Sequence, residues 1–117
     1  PLVYHSRDPF RIDLLEKVAG SWPASIIRTK GYCWFEHDPK TLYVFEQAGS
    51  QIALSPDGLW LAACGPQVQE KEFELRPEIK ETWDEKYGDR ENKIVFIGKD
   101  MDQQAIIQMM DDCLVKE

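Results

Sequence analysis

The stretch YGDRENKIVFIGKDMD, Tyr87 to Asp102, decides the fold. A charged turn, Gly88-Asp89-Arg90, comes before an uninterrupted apolar run, and we predict a strand over Lys93–Ile97. A short apolar run bounded by turn residues is typical of a strand that is buried on both faces. Asp100 and Gln103 then have the spacing of a capping box, so the sequence predicts a closing helix directly after the strand.

The segment upstream of this stretch contains several β-branched and aromatic runs separated by turn signals, which indicates short strands close together in the chain. Turns are predicted at His37–Lys40, where Pro39 cannot continue a hydrogen-bonded ladder, at Gly49-Ser50 and at Pro56-Asp57-Gly58. Connections this short favour antiparallel pairing. The four predicted strands are Ile26–Glu36, Leu42–Ala48, Gln51–Ser55 and Leu59–Ala63.

Two more helices are predicted from apolar residues at helical spacing. The first covers residues 9–19 and starts at Asp8-Pro9, since Asp can cap a helix and Pro suits its first turn. The second covers residues 77–87 and ends at Gly88, and residues 65–76 before it are predicted to form a loop. The predicted order is α-β-β-β-β-α-β-α, an α+β fold with a mostly antiparallel sheet of four to five strands and helices packed on one face.

The length and charge of the chain restrict its function. Its 117 residues match the size of one domain, so we predict a single domain over 1–117, and the start at Pro1 rather than Met suggests a fragment of a longer protein. The net charge is −7, and residues 70–92 hold nine acidic and five basic residues. Nucleic acid is an unfavourable partner for such a chain, because phosphate binding needs clustered Lys and Arg.

Cysteine usage and hydropathy predict the compartment. Three widely spaced cysteines without a Cys-x-x-Cys pair argue against a disulfide framework and favour a reducing compartment, so a cytoplasmic location is expected. No apolar run approaches the ~20 residues that cross a bilayer, so no membrane partner is expected.

Five segments, in this order and spacing, are typical of one protein family: SRDPF (Ser6–Phe10), RTKGYCWF (Arg28–Phe35), QAGSQIAL (Gln47–Leu54), GLW (Gly58–Trp60) and GDRENKIVFIGKDMD (Gly88–Asp102). Together they cover nearly the whole chain, and each is weak alone but fairly specific in this order and spacing. They resemble the C-terminal domain of CobW-like proteins, a family of GTP-dependent metal chaperones.

The resemblance implies a parent protein that couples a P-loop GTPase, using GTP and Mg²⁺, to the handling of zinc or cobalt. This chain has neither the phosphate-binding run Gly-x-x-x-x-Gly-Lys-Ser/Thr nor the Cys-x-Cys-Cys motif of the family. We therefore expect no cofactor in this chain. The resemblance implies its own N-terminal GTPase domain as the partner, with a client metalloprotein or self-association as further candidates.

Two departures from the family pattern lower the expectation that this chain binds metal. Arg11 stands where family members often carry His after Pro-Phe. Residues 65–76 contain none of the His residues that many members carry in this loop.

Four residues are the candidate metal ligands: Cys33, His37, Cys64 and His5. A zinc site needs about four converging ligands. Cys33 and His37 are four residues apart, which on a strand corresponds to ~13 Å, so they can share an ion only if the turn folds back. The alternative interpretation makes Cys33 a small core residue and His37 a turn residue.

A candidate partner surface comes from the alternation of the strand Ile26–Glu36. Lys30, Tyr32 and Trp34 share one face by the period of two. A Lys beside aromatic rings can form a partner or ligand surface, with its apolar stem packed on the rings. The alternative is an amphipathic sheet face that a helix partly covers. The residues predicted on the opposite face are Ile27, Gly31, Cys33 and Phe35.

Asp89 and Arg90 in the charged turn are the remaining candidates for the partner surface. One interpretation is an internal ion pair that fixes the crossover from helix to strand, and the other is a contact with the GTPase domain or another partner. A bidentate, buried Arg contact would contribute more than a surface pair, which contributes only ~0–1 kcal/mol.

The sequence thus predicts a non-catalytic regulatory and protein-interaction domain of a GTP-dependent metallochaperone. An independent enzyme is not expected, because the chain has two His, no Gly-x-Ser-x-Gly and no Cys with an obvious base. Two alternatives stay open: a zinc-binding module that uses Cys and His, and a small-molecule sensor with a pocket between sheet and helices.

Overall fold

The computed structural model describes residues 1–116, and within them a five-stranded antiparallel sheet packs with four α-helices. The strands are β1 (Leu2–Ser6), β2 (Ile26–Phe35), β3 (Asp38–Ala48), β4 (Gln51–Leu59) and β5 (Asn92–Gly98). The helices are α1 (Ile12–Ala19), α2 (Pro66–Leu75), α3 (Glu78–Glu81) and α4 (Gln103–Asp111), with a 3-10 helix at Leu61–Ala63. The predicted α+β class is confirmed. Residue 117, the end of the predicted domain, lies outside the described residues.

The sheet has the order β1-β5-β2-β3-β4, so β5 from the deciding stretch lies between β1 and β2. Ile94 and Phe96 are fully buried on one face of β5. On its other face, Ile97 is 50% exposed. The predicted strand is confirmed, but the prediction that both its faces are buried is wrong, because no helix covers the second face at this end.

The main core lies between one face of the sheet and the helices α1 and α4. Leu15 of α1 and Met110 of α4 pack against sheet residues such as Phe45 and Phe96. Each large apolar side chain buried in this way stabilises the fold by roughly 1.5–3 kcal/mol. Cys33 and Cys113 are also buried in this core, which for Cys33 agrees with the alternative interpretation of a small core residue.

The turn predicted at Pro56-Asp57-Gly58 is wrong, and so is the strand predicted at Leu59–Ala63. β4 continues through these residues to Leu59, and a shift in its register against β3 lies between Thr41 and Tyr43. An edge strand can accept Pro and Gly, because its outer side needs no hydrogen-bonded ladder and a bulge can take the unusual backbone. Gly58 has φ +119°, which only Gly adopts readily.

The region between β4 and β5 also differs from the prediction. Residues 65–76 contain the helix α2 instead of a loop, and the helix predicted over 77–87 is reduced to the four residues of α3. Neither helix buries a residue, so no apolar stripe marks α2 in the sequence. Asp84 closes a turn, because its carboxylate accepts hydrogen bonds from the backbone N–H groups of Lys86 and Tyr87.

Hydrogen bonds in the structure correct three predicted element boundaries by a few residues. β3 begins at Asp38, which pairs with Phe35, so Pro39 lies within the strand and the turn shortens to Glu36 and His37. Helix α1 begins at Ile12, and Asp8 does not cap it but accepts a hydrogen bond from Tyr87 Oη. Asp102, and not Asp100, caps α4 by accepting from the N–H of Ala105.

Strand β1 is absent from the predicted elements. It pairs with β5 along its full length, from Leu2 opposite Phe96 to Ser6 opposite Asn92. Leu2 and Tyr4 face the core while Val3 and His5 are exposed, a strict alternation that fits a half-buried edge strand.

Candidate functional site

The second face of the sheet, opposite α1 and α4, contains most of the predicted site residues. Its side chains form three rows across the strands, because the registers align them. The covered row is His5, Lys93, Tyr32, Val44 and Ser55. The middle row is Val3, Val95, Lys30, Glu46 and Ala53. The last row is Ile97, Arg28, Ala48 and Gln51.

One end of this face is covered by the chain between β4 and β5. Trp34 is buried, packs edge-on against Tyr87 at a ring-centroid distance of 5.3 Å, and donates through Nε1 to the carbonyl oxygen of Arg7. Tyr32 packs edge-on against Trp60 at 6.1 Å. The structure thus places these two predicted partner residues under a cover, but non-helical chain around Trp60 and Tyr87 forms it and not the helix of the alternative interpretation.

The other end, which we call the open sheet face, comprises the middle and last rows. Val3 is 55% exposed and Ile97 is 50% exposed, and Lys30 lies between their strands and Glu46. Exposed aliphatic side chains thus surround two cations, Lys30 and Arg28, which lie two residues apart on one strand. The open sheet face therefore combines exposed aliphatic side chains with two basic ones.

One residue lies on the opposite face from the prediction. Ile27 was predicted to face the core with Cys33, yet it is 60% exposed and Ile26 is buried instead. The cause is a shift in register between Ile26 and Arg28, which an alternation of two cannot show. Thr29, Gly31, Cys33 and Phe35 continue the core face beyond the bulge.

Asp89 and Arg90 make separate contacts inside the chain. The carboxylate of Asp89 accepts hydrogen bonds from the backbone N–H groups of Leu61 and Ala62, each at 2.9 Å, and so fixes the start of the 3-10 helix. The guanidinium of Arg90 donates to the carbonyl oxygens of Pro39 and Tyr87 and lies 5.6 Å from the ring centre of Trp34. Asp89 therefore holds the two ends of the covering segment together, and Arg90 attaches that segment to β3 of the sheet.

Arg7 has a comparable role that the sequence did not indicate. It donates to the carbonyl oxygens of Thr82, Gly88 and Arg90, which are 75 to 83 residues away in the chain. No local pattern marks such an arginine, because its partners are backbone atoms of a distant turn. In the sequence, Arg7 stands out only as part of the family segment SRDPF, Ser6–Phe10.

Glu91 is the centre of a polar cluster on the covered row. Its Oε1 accepts from Tyr32 Oη at 2.7 Å, its Oε2 lies 2.7 Å from His5 Nε2, and Arg7 is 3.8 Å away. Burial acts to raise the pKa of Glu91, but the hydrogen bonds from Tyr32 and His5 outweigh it and the pKa is lowered. Burial, with the bond to Glu91, raises the pKa of Tyr32, which keeps this phenol a neutral donor.

We expect Glu91→Gln to remove a pH-dependent part of the stability. The pKa of Glu91 in the folded state lies below the usual 4.5, so the stabilisation is present above that value and is lost as the pH falls through the folded pKa. The free energies of unfolding of the two proteins should therefore differ most near neutral pH and converge in acid. Urea unfolding at several values between about pH 3 and 7 measures this, and a difference that stays constant with pH would contradict it.

A cleft of about 550 Å³ lies between the covered end of the sheet face and the segment that contains α2 and α3. Tyr32, Leu42 and Trp60 line its sheet side, and Ile79 of α3 lies among the residues of the opposite side. Charged side chains at its edge include His5, Arg7, Arg76, Asp89 and Glu91. A pocket between sheet and helices was one of the open alternatives of the sequence.

The four candidate metal ligands lie apart. Cys33 is fully buried on the core face, where burial raises the pKa of its thiol to about 12, while His5 lies on the second face. His37 is in the β2–β3 turn against the rings of Phe35 and Tyr43, and Cys64 Sγ contacts the carbonyl oxygen of Trp60. Among residues 1–116, no three His, Cys, Asp or Glu side chains are grouped to hold a metal ion.

In the part of the chain that the structure describes, no helix has the length and apolar character needed to span a membrane.

Known proteins share both the sequence and the fold. Residues 2–114 match the sequence model of the cobalamin synthesis protein cobW C-terminal domain. A zinc-regulated GTPase metalloprotein activator 1 of Dictyostelium discoideum is 31% identical over 98% of this chain, which spans 25% of that protein. A zinc chaperone of Mycobacterium tuberculosis is 24% identical over 97% of this chain, which spans 29% of that protein.

A solved structure of a zinc-bound YjiA GTPase from E. coli has the same fold over 97% of this chain and 29% of its own length. Its TM-score is 0.61 at 14% sequence identity, so this likeness concerns the fold alone. The sequence match extends over nearly all of the described residues, including every strand of the sheet. This chain belongs to the family of cobalamin synthesis protein CobW C-terminal domains.

Proposed function

We propose that this chain is the non-catalytic regulatory and protein-interaction domain of a longer, GTP-dependent metallochaperone. Its relatives carry names that state GTPase activity and zinc handling, and the chain spans only about a quarter of their length. The parent protein would bind GTP with Mg²⁺ and handle zinc or cobalt in the cytoplasm. This chain would contact the N-terminal GTPase domain of the parent protein, called the GTPase half below. It would contain no nucleotide or metal site.

The open sheet face is the observation that carries this proposal. A sheet with one face covered by α1 and α4 usually presents polar side chains on the other, yet Val3 and Ile97 are half exposed here. They belong to adjacent strands, β1 and β5, so their side chains form part of one continuous patch. Such patches with polar surroundings mark protein contacts.

The charges on the open sheet face limit the kind of partner surface that can bind it. The chain has a net charge of −7, but the open sheet face presents Arg28 and Lys30 against the one carboxylate of Glu46. The acidic segment 70–92 covers the opposite end of the same face. The partner surface on the GTPase half would therefore be apolar with carboxylates, so that unlike charges meet.

Two substitutions on the open sheet face test the proposal by titration of the chain against its separately produced GTPase half. Ile97→Asp places a carboxylate in the apolar part of the contact and should raise the Kd by about tenfold or more. Lys30→Glu should also weaken binding, because it opposes like charges across the contact.

Matched variants outside the face serve as controls. Leu75→Asp introduces the same carboxylate at an exposed aliphatic position of α2, and Lys17→Glu makes the same charge reversal on α1, on the other side of the sheet. Both should bind as the unaltered chain does, and thermal unfolding checks that all four variants are folded. The proposal is wrong if Ile97→Asp and Lys30→Glu bind as tightly as these controls.

A further inference from the structure

The cleft beside the open sheet face has no role in the proposed contact. Its volume of about 550 Å³ lies within the range of small-molecule sites, roughly 300–1,000 Å³. It is bounded on one side by Tyr32 and Leu42 of the sheet and on the other by Arg76, Ile79 and Thr82, in and around α3. The chemistry of a ligand for this cleft follows from which of its polar atoms already have hydrogen-bond partners.

The sheet side of the cleft is apolar in effect. Tyr32 Oη donates to Glu91, and Trp60 Nε1 donates to the carbonyl oxygen of Thr41 at 3.0 Å. With these groups engaged, the floor offers the ring of Tyr32 and the side chain of Leu42, while the ring of Trp60, only 3% exposed, lies buried against Tyr32. An aromatic or aliphatic body packs well on such a surface, whose two rings meet edge-on.

The carboxylates at the edge are also engaged. Asp89 accepts two backbone N–H groups, and Glu91 accepts from Tyr32 and lies beside His5 and Arg7. The guanidinium of Arg7 is used in turn, because its two terminal nitrogens donate to three carbonyl oxygens. The four side chains of His5, Arg7, Asp89 and Glu91 form the frame of the cleft.

Arg76 differs from them. It follows α2 directly, and its Nε and Nη2 bind Glu72, while its Nη1 has no hydrogen bond to any described residue. The side chain is 59% exposed and lines the cleft. Arg76 thus places an exposed cationic donor at the edge of the cleft, which suits a planar anionic group.

The side opposite the sheet can adjust to a ligand. α2 and α3 bury no residue, and Gln69 attaches α2 to the 3-10 helix through two carbonyl oxygens, those of Leu61 and Cys64. Elements with few buried contacts open at low free-energy cost. A ligand could therefore enter without disrupting the main core.

We propose that the cleft binds a small anion with an aromatic body, a carboxylate or a phosphate ester. The body packs on Tyr32 and Leu42, next to the buried ring of Trp60, and the anionic group accepts from Arg76. This makes the domain a sensor for a small molecule in addition to a protein-contact module.

Binding is tested with the indole N–H signals of the chain in N–H correlation NMR spectra. Phenylacetate and phenyl phosphate should shift the Trp60 signal in a saturable way, and the tighter of the two identifies the anionic group. The Trp22 signal is an internal control, because that ring packs on Phe45 and Phe96 on the opposite face of the sheet. Phenylacetamide, the neutral analogue, should bind about tenfold more weakly, since it lacks the charge-assisted hydrogen bond.

Two variants locate the anionic group. Arg76→Gln should raise the Kd of the tighter anionic probe by about tenfold, whereas Arg11→Gln, at another exposed arginine that is paired with a carboxylate, should leave it unchanged. The proposal is overturned if neither anion shifts the Trp60 signal at about millimolar concentration. It is equally overturned if the amide binds as well as the acid, or if the two arginine variants behave alike.

Discussion

Replacing Asn92 by Ala should lower the free energy of unfolding by about 3–5 kcal/mol. Asn92 is fully buried, and its Oδ1 accepts from the N–H of Trp34 at 2.9 Å. Its Nδ2 donates to Ser6 Oγ and to the carbonyl oxygen of Asp8. One side chain therefore connects β5, β2 and the segment after β1.

The size of the effect follows from what Ala leaves behind. Each buried donor or acceptor that loses its partner costs about 1–3 kcal/mol, and the N–H of Trp34 and the carbonyl of Asp8 would both lose theirs. Urea unfolding measures the loss, with Gln104→Ala at an exposed position of α4 as the control. A loss below about 1 kcal/mol would show that Asn92 does not hold these segments together.

Gly31→Ala should destabilise the chain by about 3 kcal/mol or more, because the added methyl has no space. A Cβ at Gly31 would lie 2.2 Å from the carbonyl oxygen of Lys93 and 2.6 Å from Cα of Ile94. Both are backbone atoms of β5, which is hydrogen-bonded to β1 as well as β2 and cannot move without disturbing both ladders.

Gly65→Ala is the matched control for this prediction. No atom lies within 4 Å of a Cβ at Gly65, and its backbone has φ −68°, which Ala adopts without strain. Because Gly65 precedes α2, the loss there should be a few tenths to ~1 kcal/mol. Equal losses for the two variants in urea unfolding would mean that the close approach of β2 and β5 relaxes without cost.

The elements that build the main core could be predicted from the sequence, because burial imposes a period on it. β2 and β5 were found from β-branched and aromatic runs, and α4 from its apolar face, which buries Ile106 and Met110. α2 could not be found in this way, since it buries no residue and no periodic signal exists. The turn predicted at Pro56 and Gly58 was wrong, because an edge strand can contain both residues.

The candidate site was predicted only in part, because some of its contacts join segments that are far apart in the sequence. Alternation along β2 correctly placed Lys30, Tyr32 and Trp34 on one face. It could not show that residues 60–91 fold back over Tyr32 and Trp34, because that cover depends on contacts between distant segments. Arg7 reaching Thr82 is one such contact, and Asp89 reaching Leu61 is another. The position of Lys30 on the partner surface stays a prediction.

Methyl NMR spectra of the chain with increasing amounts of its GTPase half test the central claim most directly, namely that the open sheet face is the contact surface. We expect the methyl signals of Val3, Val95 and Ile97 to shift on binding. Those of Ile94 and Ile106, buried on the other side of the sheet, should stay in place. Binding that leaves the signals of Val3 and Ile97 unchanged, or no binding at all, would contradict it.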